Sequence, residues 1–578
     1  MREGRPRGYI TLTLHAHLPW VVHHGTWPHG LEWLLEAAAE TYLPLLRVMR
    51  NLDRDGLALR ANLILSPVLL EQLAHPTFRA EFPEYLKRKI QASQEDETYF
   101  RQSGDEHFAN TACYWRSFFE QAGGDFEALG GDIVKGFRDC SDAGLIEIVT
   151  CCATHGYLPL LGTDESVAAQ VRMGVATHER HLGRKPRGIW LPECGYRPAG
   201  IWQRPVAPHG NGEPGAPFER MGVERALAEA GLEYFFVDSH LVEQSMLFTP
   251  CETKAGGGAV GTAAALPRPT KSVRSLYRTY WVDGPCARQH PVAIFPRDPL
   301  TGLQVWSGEN GYPGDPNYLD FHKKRWPGGH RYWQVTEAHA DMAQKTAYCP
   351  ERAARRVRAH AEHFVSVVHE ALQESLDAER APILSAPFDA ELFGHWWFEG
   401  PAWLEEVARL ISREECPIAL TTASEYLERQ PPEGFLAVPE GSWGKNGGNE
   451  VWLNPQTAWT WSHIYPAEEA VRMLATEGKW RDGGMGERIA RQLCRELLLL
   501  ESSDWQFLST TEAARDYAEQ RFLTHLEQFR EAQQLWEEFA AKGSLAPESE
   551  QRLAGLERRD SLFAELDPGL WAQREPAC

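Results

Sequence analysis

Seven short runs of β-branched, aliphatic and aromatic residues alternate along the chain with longer stretches of helical spacing, and this alternation restricts the fold more than any other feature. The runs are Tyr9 to His15, Leu59 to Leu65, Leu145 to Thr150, Gly188 to Leu191, Tyr234 to Val237, Val292 to Phe295 and Ile383 to Ser385. Their composition reads as buried strands. Between them, Leu31 to Leu46, Glu165 to His181 and Glu351 to Leu376 place apolar residues at helical intervals. Strands followed by helices predict an α/β fold with a parallel sheet, and a seven-stranded (β/α)7 barrel is its natural closure.

A chain of 578 residues exceeds one compact core. The barrel is expected to use residues 1–66 and 140–429. Residues 67–139 have helical periodicity without a convincing strand and predict a helical insertion. From Gln430-Pro-Pro-Glu-Gly434 onward the character changes: a Trp-rich loop leads into helical patterns at Pro466 to Glu477, Met485 to Ser502 and Thr510 to Phe539, so 430–578 predicts a C-terminal helical domain. Two loops stand out: Arg204 to Pro217, rich in Pro and Gly, and Lys254 to Ala265, which is small and uncharged after its first residue.

Composition narrows the function classes. A formal charge of −21 opposes binding to phosphate backbones, and no basic run is long enough to form a local nucleic-acid patch. No stretch approaches the length of apolar sequence that a membrane span needs. The N-terminal residues lack the apolar core of a signal peptide, and the eleven Cys are scattered, with the adjacent pair Cys151-Cys152 outside any C-x-x-C spacing. A cytoplasmic protein with reduced thiols is expected. The 21 Trp are unusual; their flat rings suit either a core or the apolar faces of sugars.

Four polar clusters fall at predicted strand ends, which in a parallel barrel share the face where sites are built. The first is His15-Ala16-His17-Leu18-Pro19-Trp20, where period two puts both imidazoles on one side of the strand end. These could serve a metal, sugar hydroxyls, or each be satisfied by nearby backbone. The second runs through Thr154, His155 and Tyr157. The third is Trp190-Leu191-Pro192-Glu193-Cys194-Gly195, with an acid between turn residues. Arg197 is an obvious ion-pair partner for that acid if its role is structural. The fourth places Asp389, Glu391, His395 and Trp396 among aromatics, where low dielectric would raise a carboxyl pKa as a general acid requires. Two carboxylates at strand ends amid Trp and His fit glycosidic-bond chemistry. A metal-dependent barrel enzyme and a noncatalytic glucan binder are the rival classes.

In order and wording these clusters resemble the sequence motifs of glycoside hydrolase family 57: His15-Ala16-His17-Leu18-Pro19, Thr154-His155-Gly156, Trp190 to Glu193, Ser385 to His395, and the Trp-rich region near Val451-Trp452. The resemblance covers nearly the whole chain. Within the family it is similar to the bacterial α-1,4-glucan branching enzymes, through His155 to Leu161, Phe236 to His240, Gln304 to Ser307, Gly311 to Gly314, Asp389 to Trp397, Pro439 to Gly444 and Trp505.

The resemblance implies a retaining transglycosidase that makes α-1,6 branches from α-1,4 chains, as in glycogen-type biosynthesis. It implies Glu193 as nucleophile and Asp389 as general acid/base. His15 and His155 would line the donor-sugar subsite, with His17, His395 and Trp396 beside them and Arg297 contacting substrate. Trp27, Trp306, Trp443 and Trp452 would be stacking platforms. The branching enzymes carry a loop tip that usually reads Ser-Pro-Tyr-Gly; the matching stretch here is Leu247 to Glu252, which puts Cys251 at the tip. That departure keeps a hydrolytic α-amylase or a 4-α-glucanotransferase open as alternatives. The reading calls for an α-glucan substrate, no cofactor, no metal, no nucleic acid and no membrane, in a monomer or weak homo-oligomer.

Overall fold

The structure is a computed structural model that describes residues 6–208, 213–249, 268–269, 274–285, 287–337, 339–373, 375 and 380–573. The expected loop tip Cys251 and the 254–265 segment lie outside the described residues. The chain divides into two compact units, Met1–Val149 with His178–Arg184 and Asp298–Ala423, and Thr150–Thr177 with Lys185–Arg297 and Ser424–Cys578.

All seven expected strands are present: β1 (Gly8–Ala16), β2 (Ala61–Leu65), β3 (Ile146–Cys151), β4 (Gly188–Trp190), β5 (Tyr234–Val237), β6 (Ala293–Pro296) and β7 (Ile383–Asp389). They neighbour one another in chain order, with β7 on the other flank of β1, and every ladder among them is parallel. This is the strand order of a (β/α)7 barrel with added helices. β7 runs beyond its expected end at Ser385 to Asp389. It does so through Pro387, which a strand tolerates where the missing N–H faces away from its ladder partner. β2 starts later than expected because Arg60 takes a left-handed conformation, φ 45°.

In the first unit, β1 is buried throughout and reads Gly-Tyr-Ile-Thr-Leu-Thr-Leu-His-Ala. Its two buried hydroxyls are satisfied by Asn62, whose Nδ2 donates to Thr11 at 2.7 Å and Thr13 at 2.9 Å while its Oδ1 accepts from Ala423 N–H at 2.9 Å. A buried amide at the centre of the sheet is thereby fully used. The β1–β7 register pairs Tyr9 with Ile383 and carries through to His15 opposite Asp389. Helices Pro67–Ala74, Pro76–Gln102, Glu106–Ala128 and Ile133–Asp142 follow β2. Asp105 and Asp132 cap the last two by accepting from Phe108 and Lys135 N–H.

In the second unit, β3 pairs β4 through Thr150 and Cys151, and β4, β5 and β6 continue the parallel order. Short strands that the sequence did not announce extend this sheet: Tyr280–Val282 lies antiparallel to β6, and Phe435–Ala437 and Met246–Thr249 follow. The C-terminal region is helical, with Ala458–Glu477, Met485–Leu500, Asp504–Thr510, Arg515–Lys542 and Pro547–Arg559. Its first helix begins earlier than expected and keeps Pro466 inside it. Gly478 ends that helix at φ 68°, the left-handed cap where glycine carries no Cβ penalty. Among the described residues no helix is long and apolar enough to cross a membrane.

Candidate active site

The two expected catalytic carboxylates belong to different compact units, and each has its own surroundings. Asp389 closes β7. The β1–β7 register sets it beside His15, whose Nδ1 lies 3.4 Å from Asp389 Oδ1. His15 and His17 stack at 5.9 Å with 20° between their planes, as strand period two requires. His17 is fixed through Nδ1 to Ser66 Oγ at 2.9 Å, and its backbone N–H donates to Glu391 Oε1 at 3.2 Å.

Burial lifts Glu391 here, and further along the same stretch it raises Glu399 to about 7. Glu391 reaches about 8, against the lowering effect of the Tyr42 hydrogen bond and with a further upward push from the Asp389 charge. Tyr42 Oη donates to Glu391 Oε1 at 2.6 Å. His395 is buried, and its Nδ1 lies 3.2 Å from Glu40 Oε2, which also accepts from Arg331 at 2.9 Å. Burial would push Glu40 up, but Arg331 and His395 outweigh it and hold the carboxyl down at about 2. Trp396 is half-buried and meets Trp306 edge-on at 5.9 Å; Trp306 is 45% exposed and Trp27 64% exposed, both with ring area open to a ligand.

Glu193 sits in the turn after β4. It and Cys194 both take left-handed backbone conformations, φ 61° and 51°. Two such non-glycine residues in succession cost about 1–3 kcal/mol each, which the surroundings must offset. The segment 441–443 does so: Tyr196 and Gly441 exchange backbone hydrogen bonds at 2.9 and 3.0 Å, and Trp443 N–H donates to Glu193 carbonyl oxygen at 3.0 Å. Trp443 then turns its indole Nε1 onto Glu193 Oε2 at 2.6 Å. His155 Nδ1 lies 3.9 Å from Glu193 Oε1. His155 is itself left-handed, φ 60°, and is held by Ser503, which donates N–H to its carbonyl at 3.1 Å and meets Nδ1 at 2.8 Å. The Arg297 guanidinium lies 5.4 Å over the Trp443 ring and 3.2 Å from Asp238. Arg197, the structural partner considered for Glu193, instead faces Asp164 at 3.8 Å and donates to Pro198 carbonyl.

Two expectations need correction or refinement. Trp452 is 1% exposed and stacks on Tyr157 at 4.1 Å, so neither ring face is open to a glucan and it acts as core support. Trp443 contributes an N–H to the candidate nucleophile in addition to any ring contact. Replacing it with Phe removes the indole N–H that Glu193 Oε2 accepts, so kcat should fall roughly tenfold or more. Steady-state kinetics of the Trp443→Phe variant measures the loss. Ser503, Glu40 and Tyr42 were not anticipated. Glu40 offered the one usable signal, an acid within the otherwise apolar run Ala37-Ala38-Ala39-Glu40-Thr41-Tyr42-Leu43.

In each unit a carboxylate at or just beyond the end of a parallel strand stands beside an imidazole, the chemistry of a carbohydrate-active enzyme. The chain belongs to glycosyl hydrolase family 57, whose family model matches residues 11–439. A second model, described as 1,4-alpha-glucan branching enzyme, C-terminal, matches residues 463–571. A 1,4-alpha-glucan branching enzyme of Thermococcus kodakarensis is 39% identical over 99% of this chain and 79% of its own length. The crystal structure of a branching enzyme of this family from Pyrococcus horikoshii superposes with a TM-score of 0.86 at 38% identity, covering 99% of this chain and 98% of that one. An alpha-amylase from Thermotoga maritima superposes with a TM-score of 0.80 at 28% identity, over 99% of this chain and 100% of that one.

Proposed function

We propose that this chain is a 1,4-α-glucan branching enzyme that works by retaining double displacement, with Glu193 as nucleophile and Asp389 as general acid/base. The observation that carries the reading is the Glu193 turn. A carboxylate on a strained backbone, gripped by an indole N–H and flanked by an imidazole, is costly to hold unless it is used.

Asp389 gives its proton to the glycosidic oxygen as Glu193 attacks the anomeric carbon. The C1–O bond breaks, the non-reducing part of the chain stays as a β-glucosyl ester, and the released part leaves as an alcohol. Asp389, now ionised, takes the proton of an incoming glucan 6-hydroxyl, which displaces Glu193 and forms the α-1,6 bond. Two inversions give retention, and such a pair works at a carboxyl separation of about 5–5.5 Å. His15 beside Asp389 and His155 beside Glu193 suit donor-sugar hydroxyls, since a neutral imidazole both donates and accepts. Arg297 and Trp443 extend that surface, and Trp27 and Trp306 offer ring faces for glucan.

In this reading the barrel comprises residues 1–66 and 140–429, with 67–139 and 430–578 as helical additions. The enzyme acts in the cytoplasm on glycogen-type chains, as a monomer or weak homo-oligomer without nucleic acid or membrane. Branching and hydrolysis share the first half of the cycle and differ only in whether a sugar hydroxyl or water meets the ester. The sequence carries Cys where the loop tip of the branching enzymes carries Tyr, and the smaller side chain is expected to favour a larger share of hydrolysis. Incubation with amylose should therefore yield new α-1,6 linkages together with some new reducing ends, measured by debranching and linkage analysis. New reducing ends without any α-1,6 linkage would make the chain an amylase.

A further inference from the structure

The helix leading from Leu31 does not run straight into Leu43–Arg54. Between them Ala38–Tyr42 forms a single π-turn, closed by Leu43 N–H to Ala38 carbonyl, and single π-turns of this kind recur at functional sites. In an α-helix three successive residues fan out by about 100° each, so they cannot all address one neighbouring segment. Here Glu40, Thr41 and Tyr42 are all buried, and all three bond to the stretch that follows Asp389. Tyr42 Oη donates to Glu391 at 2.6 Å, Thr41 Oγ1 accepts from His395 N–H at 3.2 Å, and Glu40 Oε2 holds His395 Nδ1 at 3.2 Å.

Arg331 locks the arrangement from the far side by donating to both Glu40 Oε2 and the His395 carbonyl, at 2.9 and 3.0 Å. Gly394 stands at φ 121° against the Glu40 carbonyl, so close that any Cβ there would collide with it. Glu391 in turn accepts the His17 N–H. The turn thus grips the segment 391–395 at both ends, and Asp389 lies two residues before the first grip.

We propose that this π-turn is the device that aims the acid/base: Tyr42 and Glu40 are positioning residues that fix the Asp389 segment for proton transfer without touching substrate. This rests on the assignment of Asp389 as acid/base.

The test separates proton donation from everything else by changing the leaving group. Fluoride departs from an α-maltosyl fluoride without protonation, whereas the glycosidic oxygen of amylose needs a proton from Asp389. For Tyr42→Phe we expect turnover on amylose to fall about tenfold or more, within the range set by general-acid catalysis, with KM within about twofold of wild type. The initial burst of fluoride should stay within about threefold, because that step needs the nucleophile alone. Glu40→Gln, which keeps the side-chain shape, should show the same split and serves if Tyr42→Phe does not fold. Equal losses on the two substrates, or no loss on amylose, would overturn the proposal. Asp389→Asn runs in parallel: the absence of a split there would refute the acid/base assignment itself, whereas a split there without one in the π-turn variants refutes only the positioning role.

Discussion

Glu193→Gln is expected to abolish turnover, lowering kcat by about 10^4-fold or more, because the amide cannot form the glycosyl ester and no other group replaces a lost covalent nucleophile. The substitution keeps the volume of the side chain. Its carbonyl oxygen can still accept the Trp443 indole N–H that now lies 2.6 Å from Oε2. The turn should therefore persist, and glucan affinity, measured by calorimetry with a maltooligosaccharide, should stay within about twofold, since the lost interaction belongs to the transition state and not the ground state. A noncatalytic glucan binder would lose nothing on this substitution. A metal-dependent enzyme would retain turnover in Glu193→Gln and lose it to a chelator. Adding azide to a smaller variant, Glu193→Ala, should restore cleavage of α-maltosyl fluoride and give the β-glycosyl azide, the inverted product of a single displacement.

The second large effect belongs to Asp389→Asn. General acid/base catalysis contributes about 10^2- to 10^4-fold, so turnover on amylose should fall by that factor. Cleavage of α-maltosyl fluoride should begin normally and then stall, because the ester forms but no base activates its acceptor. Azide needs no base, and here it should give the α-glycosyl azide, the retained product, by attacking the ester on Glu193. The two variants thus predict azides of opposite anomeric form, and NMR of the products distinguishes them. His15, 3.4 Å from Asp389, does not replace the lost group, since the proton must come from the carboxyl at the end of β7.

Much of this fold was legible because buried parallel strands are written as continuous apolar and β-branched runs, and each of the seven ended where a polar residue or a turn began. β1 shows how far this reaches: its Thr11 and Thr13 would be misplaced in a core, but β-branched residues suit a strand and Asn62 satisfies both hydroxyls. Short added strands such as Tyr280–Val282 were not legible, since a three-residue pairing depends on its neighbour and carries no period of its own. The π-turn was equally hidden. Its sequence, Ala-Ala-Glu-Thr-Tyr, continues the helical spacing, and one extra residue in a turn is imposed by the contacts of Glu40 and Tyr42 rather than by local preference.

At the site, position along the strands was readable and detailed environment was not. Among the aromatics of the fourth cluster the carboxyls that burial raises are Glu391 and Glu399, because both side chains are withdrawn from solvent, and for Glu391 the Tyr42 hydrogen bond only partly opposes it. Trp452 and Trp443 look alike in sequence, yet one is sealed against Tyr157 while the other reaches Glu193. Tryptophan content signals rings without saying which face solvent.

The central claim is that a glycosyl ester forms on Glu193. Asp389→Asn should accumulate that ester when mixed with α-maltosyl fluoride, and acid quenching, digestion and mass spectrometry should find one maltosyl group on the peptide that contains Glu193. A maltosyl group on a different carboxylate, or an inverted product with no labelled peptide at any time point, would contradict the account.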